Sequence, residues 1–219
     1  MEPVSPIDPL EARVVAVLVE KELTTPDQYP LSLNALVAGA NQKSNRDPEM
    51  SLSEGEVRIV LEGLRLKGLA GVTHPSGGRV ERYHHGAREV WRVEGVALAL
   101  LAELLLRGPQ TVGELRGRAA RMAPIDSLDA AQRELAGLEG RGFAKRLEPE
   151  HGSRAPRYAQ LLAPDAHPTS TTGARAATGA PRAPVSGLEA RFTGLEAEVA
   201  RIRHQLEGLA AKLGERLEL

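Results

Sequence analysis

Reactive side chains are sparse in this sequence. It contains no Cys, so it has no thiol nucleophile, disulfide or thiolate metal site. Its six His, at positions 74, 84, 85, 151, 167 and 204, lack metal-ligand spacing. His84 and His85 are adjacent, and on a strand they would point to opposite faces. No phosphate-binding glycine signature and no G-x-S-x-G elbow occurs. Converging acid, base and nucleophile are therefore missing, and the expectation is a non-enzymatic protein without metal or cofactor.

Cations and amides that could grip phosphate or read base edges are more plentiful. Residues 41–50 read NQKSNRDPEM, placing Lys43 and Arg46 among Asn41, Gln42 and Asn45. Such groups suit base edges or a peptide backbone; the competing use is capping and satisfying their own loop. Arg116, Arg118 and Arg121 form a second group, with Arg118 and Arg121 one helical turn apart. A third lies in two copies of R-x-x-R-Y: Arg79 and Arg82 before Tyr83, and Arg154 and Arg157 before Tyr158. These nine cations are the candidate nucleic-acid contacts. Double-stranded DNA is favoured over single strands, because stacking platforms need exposed aromatics and the chain has only one Trp, three Tyr and two Phe.

The overall balance of 28 Lys+Arg against 29 Asp+Glu conceals a polarity. Residues 1–94 carry 11 basic and 14 acidic groups, net −3, whereas residues 95–163 carry 10 and 8, net +2. The second region is the better DNA candidate. Arg exceeds Lys by 23 to 5, which suits bidentate phosphate contacts, although genomic base composition accounts for the bias more readily.

The elements that must position these groups are set by a repeat. EVRIVLEGLRLKGLA at 56–70 matches AAQRELAGLEGRGFA at 130–144 at an offset of 74, and the R-x-x-R-Y copies match at an offset of 75. In the first copy, Leu10, Val14, Val15, Leu18 and Val19 predict a helix over 9–22. Ser32 caps a second helix, and Ser53 with Glu56 forms a capping box for a third that Gly68 ends. A strand over 69–73, a turn at 75–78 and a return strand over 79–83 follow. The second copy predicts a helix over 96–106, a capping box at Thr111 and Glu114, a cap at Ser127 and a hairpin over 143–162. Three helices and a hairpin, twice, predict two tandem winged-helix domains of mainly α structure with small β-hairpins, over 1–94 and 95–163.

Several long motifs resemble a known family. They are Leu10-Glu11-Ala12-Arg13-Val14, Glu20-Lys21, Thr24-Thr25-Pro26-Asp27-Gln28-Tyr29-Pro30-Leu31-Ser32, Asn41-Gln42-Lys43-Ser44-Asn45-Arg46-Asp47-Pro48, and residues 107–116 with Arg118-Ala119-Ala120-Arg121-Met122. Over roughly residues 10–162 the chain is similar to the YceH-type family of uncharacterised bacterial proteins. That resemblance implies tandem winged helices and assigns no catalytic or binding residue.

Residues 164–187 are rich in Pro, Ala, Gly, Ser and Thr, predicting a disordered linker. Apolar residues at 188, 192, 195, 199, 202, 206, 209 and 213 then alternate spacings of four and three, predicting a coiled-coil helix over 188–219 and a weak homodimer, with an amphipathic helix folded back on its own domains as the competing reading. The apolar run 96–106 is too short to span a membrane, and residues 1–6 lack a signal-peptide pattern, so the expected location is the cytoplasm. Double-stranded DNA is the leading expected ligand, with a possible regulatory role. The rival is a protein-interaction module similar to the tandem winged-helix subunits of bacterial chromosome-condensation complexes.

Overall fold

The computed structural model describes residues 6–74, 80–149 and 155–167. These belong to one compact unit, Met1–Thr171. The predicted coil, most of the predicted linker, Arg79 and Arg154 lie outside the described residues.

Helix α1 spans Pro9–Thr24 and opens on a capping box. Asp8 Oδ1 accepts from the Leu10 and Glu11 amides, and Glu11 Oε2 accepts from the Asp8 amide at 2.9 Å. Helix α2, Leu33–Ala40, is capped by Ser32. Helix α3, Glu54–Leu66, carries the Ser53–Glu56 box and buries Val57, Val60, Leu61 and Leu64. Gly68 follows with φ of 70°, a left-handed position that glycine occupies without Cβ strain. The Leu69 amide then reaches back to the Leu64 carbonyl at 2.8 Å, closing the helix end. Strands β1, Ala70–Thr73, and β2, Arg82–His85, pair antiparallel with Ala70 opposite His85.

The second repeat follows the same plan. Helix α5 spans Gly95–Arg107, α6 Val112–Ala119 with the Thr111–Glu114 box, and α7 Leu128–Gly140 with its Ser127 cap. Gly142 has φ of 77°, and the Phe143 amide bonds the Leu138 carbonyl at 2.9 Å, as Leu69 does to Leu64. Strand β3, Gln110–Thr111, pairs with β5, Arg157–Gln160, which pairs with β4, Ala144–Leu147. A matching link exists in the first repeat, where Leu31 and Tyr83 exchange backbone hydrogen bonds of 3.0 and 2.8 Å.

Three details differ from expectation. The return strand β2 runs to His85 rather than stopping at Tyr83, because the Gly86 amide bonds the Leu69 carbonyl at 2.9 Å and extends the ladder towards α3. A short helix α4, Ala87–Trp91, then joins the repeats, and Arg141 at the end of α7 donates to the Trp91 and Arg92 carbonyls. The segment predicted as linker begins inside the compact unit. Pro164–Ala166 form a 3-10 turn with Ala166 buried, because this turn packs against α1.

The two repeats share one core. Residues 12–19 of α1 and 98–106 of α5 are buried, and α1 packs directly against α5. The apolar run 96–106 is thus an internal helix. Among the described residues, no helix is long and apolar enough to cross a membrane.

Candidate functional site

The loop between α2 and α3 is folded by its own amides. Asn41 Nδ2 donates to the Leu52 carbonyl at 2.8 Å, and its Oδ1 accepts from the Leu52 amide at 2.7 Å. Asn45 turns with φ of 58°, a left-handed conformation that Asn tolerates. Its Oδ1 accepts from Arg107 Nη1 at 2.9 Å. Arg46 is thereby turned inward. Its Nη1 and Nη2 donate to Glu20 Oε1 and Oε2 at 3.1 and 2.5 Å, and its Nε to the Gly39 carbonyl at 3.1 Å.

Arg121, at the turn after α6, reaches the same carboxylate from the second repeat. It donates to Glu20 Oε1 and, at 2.9 Å, to Glu103 Oε2 on α5. Glu103 is 0 % exposed, and its Oε1 has no hydrogen-bond partner; Arg107 Nε stands 3.8 Å away. Burial opposes the Glu20 charge, yet hydrogen bonds and charge from Arg46, reinforced by Arg121, hold its carboxyl below the usual value. Burial likewise opposes the Arg121 cation, but Glu20 and then Glu103 hold it above its ordinary value. Arg13 lies alongside on α1 and donates to the Ala40 and Pro48 carbonyls at 3.1 and 2.7 Å. Burial and the neighbouring Arg46 charge pull its guanidinium down to about 10.

This network corrects two sequence expectations. Arg46 was expected to face nucleic acid, but Glu20 draws it into the interior; Arg121 stays partly exposed, its side chain 30 % accessible, while paired with Glu20 and Glu103. Arg118 lies near the end of α6 and Arg121 in the turn beyond it, so the two are not one turn apart on a single helix. Arg118 Nη1 donates to Gln110 Oε1 at 2.6 Å, with Glu114 3.4 Å from its Nη2. Arg116 donates to the Ile125 and Asp126 carbonyls at 3.1 and 3.2 Å. In the hairpins, Arg157 donates twice to the Pro109 carbonyl, at 3.2 and 2.7 Å, and Arg82 reaches the Pro30 carbonyl at 3.4 Å. Lys43 is exposed on the loop. Arg13, Glu20 and Glu103 carry no role that spacing in the sequence assigns. Their signal was a charge set inside an apolar helical stripe, plainest for Glu103 within 96–106.

The outward face of α3 has a different character. Ile59 and Leu66, seven residues apart and so on one helical stripe, are 75 % and 91 % exposed. Glu54, Glu56 and Glu62 are exposed on the same helix, and Glu62 pairs with Arg65 at 2.9 Å. Beside it runs an open groove of about 420 Å³ bounded by Ser32, Asn34, Glu54, Arg58, Val80 and Arg82.

The histidines of β2 act structurally. His85 Nδ1 accepts from the Ala87 amide at 3.2 Å, so its Nε2 carries the proton and donates to Glu22 at 2.9 Å. Burial lowers its pKa even though Glu22 favours the cation. Arg88 closes this cluster, 2.6 Å from Glu22. The His84 ring packs over Gly71, where a Cβ would approach it to 2.4 Å. Among the described residues, no group of three His, Asp or Glu could hold a metal ion.

Comparison with known proteins finds relatives that the chain covers over most of their length. Residues 7–153 match the family model described as a protein of unknown function, DUF480. A UPF0502 protein of Geotalea daltonii is 51 % identical over 159 residues, 72 % of each chain. One from Mesorhizobium japonicum is 44 % identical over 205 residues, 93 % of this chain and 96 % of the relative. Another, from Leptothrix cholodnii, is 43 % identical over 219 residues, 97 % of each. The motifs around α1, the 41–50 loop and α6, together with these matches, establish that the chain belongs to the DUF480, or UPF0502, family of uncharacterised bacterial proteins.

Proposed function

We propose that the chain is a non-enzymatic tandem winged-helix protein that binds a protein partner through α3 of its first repeat. The winged-helix reading is supported by two sets of three helices and an antiparallel hairpin, each with a link from the start of the second helix to the hairpin tyrosine. The observation that carries the partner reading is the exposure of Ile59 and Leu66 on the helix that such folds present outward. Exposed apolar side chains within a charged rim suit a protein contact. With Glu54 and Glu56 at the α3 N-terminus, the complementary partner surface is apolar with basic neighbours. Phosphate is poorly served there, and six of the seven described candidate cations donate within the protein instead.

One observation favours the DNA reading: the groove that brings Arg58 and Arg82 together between α2, α3 and the hairpin. Fluorescence anisotropy with duplex DNA over a salt series separates the two. The protein-partner reading expects no salt-linked binding; a log–log slope of several units, near −0.9 per phosphate contacted, would overturn it. Ile59→Asp with Leu66→Asp is expected to change stability by no more than about 0.5 kcal/mol, since both sites are exposed. A protein partner that binds this variant as tightly as the wild type would exclude the α3 face.

Self-association through the heptads of 188–219 completes the proposal, since pairing would double the number of weak contacts. Sedimentation of the full chain should show a concentration-dependent dimer that is absent from a chain ending at His167. Identical monomers would remove this element.

A further inference from the structure

The last described residues form a short fastened segment. After β5, Gln160 exchanges side-chain hydrogen bonds with the Ala163 amide and carbonyl, at 2.7 and 2.5 Å. The Ile7 amide bonds the Leu162 carbonyl at 2.9 Å, and the Ala166 amide bonds the Ala163 carbonyl at 3.0 Å. His167 ends the segment. Its Nε2 donates to the Asp47 backbone carbonyl at 2.6 Å, tying residue 167 to the 41–52 loop. The ring lies against Gly108, at the C-terminal end of α5, so closely that a Cβ there would sit 2.7 Å from His167 Cδ2 and 2.8 Å from Cγ. Its Nδ1 is buried and has no hydrogen-bond partner.

We propose that His167 is a proton-operated clasp: when neutral it fastens the 163–167 segment to the 41–52 loop and to Gly108, and when protonated it releases that segment. Release frees residues 163–167 from the loop and from Gly108.

The chemistry follows from the two ring nitrogens. Nε2–H already has its acceptor, so the neutral tautomer is satisfied. Protonation adds a donor at Nδ1, where burial leaves it without an acceptor, a costly arrangement. Two charged groups bear on the ring. Arg13 on α1 disfavours the imidazolium, and the Asp47 side chain on the loop favours it. From the α5 end, Arg107 is directed to Asn45 and Glu103. Burial is the dominant influence and, with Arg13, outweighs Asp47, so the His167 pKa is lowered. The fastened state therefore binds a proton less readily than the released state. Fastening is complete above the ordinary value of 6.5 and weakens as pH falls below it.

The test uses the full chain labelled with ¹⁵N. Histidine ring spectra from pH 8 to 5 should show the Nε2–H tautomer at His167 at high pH and a midpoint below the ordinary 6.5. Protection of the Ala166 amide, corrected for intrinsic exchange, should be lost relative to Leu104 as pH falls through that midpoint. His167→Gln, which cannot titrate, should show no such pH dependence. A variant unprotected at every pH would equally support the clasp by showing that the histidine contact is required. A His167 midpoint at or above the ordinary 6.5 would overturn the proposal. So would wild-type protection that is constant with pH, or pH dependence that persists unchanged in His167→Gln.

Discussion

Replacing Arg46 with alanine is expected to lower the unfolding free energy by about 3–5 kcal/mol, the usual cost of leaving one partner of a buried ion pair behind. Glu20 is only 1 % exposed and would lose both hydrogen bonds that close its carboxylate, keeping Arg121 alone. The Gly39 carbonyl would lose its donor as well. Chemical denaturation of wild type and variant measures the difference directly. The acid limb gives a second reading. The Glu20 carboxyl lies below its ordinary 4.5 in the folded protein, so its stabilisation is present above that value and is lost as pH falls through the lowered one. In Arg46→Ala that part of the pH profile should flatten. Replacing Glu20 and Arg46 together by leucine should cost much less than the two single changes added, because neither charge is stranded. A loss under about 1 kcal/mol for Arg46→Ala would mean that water reaches Glu20, contrary to the packing described.

The second large effect is expected in α5. Leu101→Ala removes a fully buried side chain and should cost about 2–5 kcal/mol, depending on how far the surroundings collapse into the space. Because α5 packs against α1 as well as α6 and α7, the loss should be felt by both repeats in one transition. Trp91, buried in α4 between them, reports the junction by fluorescence, and far-UV dichroism reports all helices. The two curves should coincide and shift together. A Trp91 transition left in place while half of the helical signal melts early would show two independent cores.

The parts of the fold legible in the sequence are those governed by neighbours a few residues apart. The Ser53–Glu56 and Thr111–Glu114 boxes need only a three-residue spacing, and Gly68 and Gly142 stop their helices through a local left-handed turn. The 74-residue offset then doubled each such inference, since β1 and β4 repeat along with α3 and α7. Arginine roles were opaque for the opposite reason. Arg121 and Glu20 are 101 residues apart, and Arg46 and Glu20 are 26 apart. Nothing local distinguishes a guanidinium that will meet a buried carboxylate from one that will meet solvent. The 41–50 loop shows both possibilities: Asn41, Asn45 and Arg46 bond within the protein, and Lys43 is exposed. The start of the linker was misplaced on similar grounds. Composition reports low apolar content, but His167 is held by Asp47, 120 residues earlier.

The packing of α1 on α5 also sets a timetable for synthesis. Residues 12–19 of α1 find much of their cover on a helix that ends at Arg107, 83 residues after α1 itself ends at Thr24. At typical elongation rates of about 5–20 residues per second, that interval is roughly 4–17 s. Throughout it, the nascent first repeat carries an apolar helix whose principal neighbour does not yet exist. Glu20 likewise waits for Arg121 to emerge from the ribosome. A chain stalled before Gly95 therefore displays α1 to the folding machinery around the ribosome instead of to its own core.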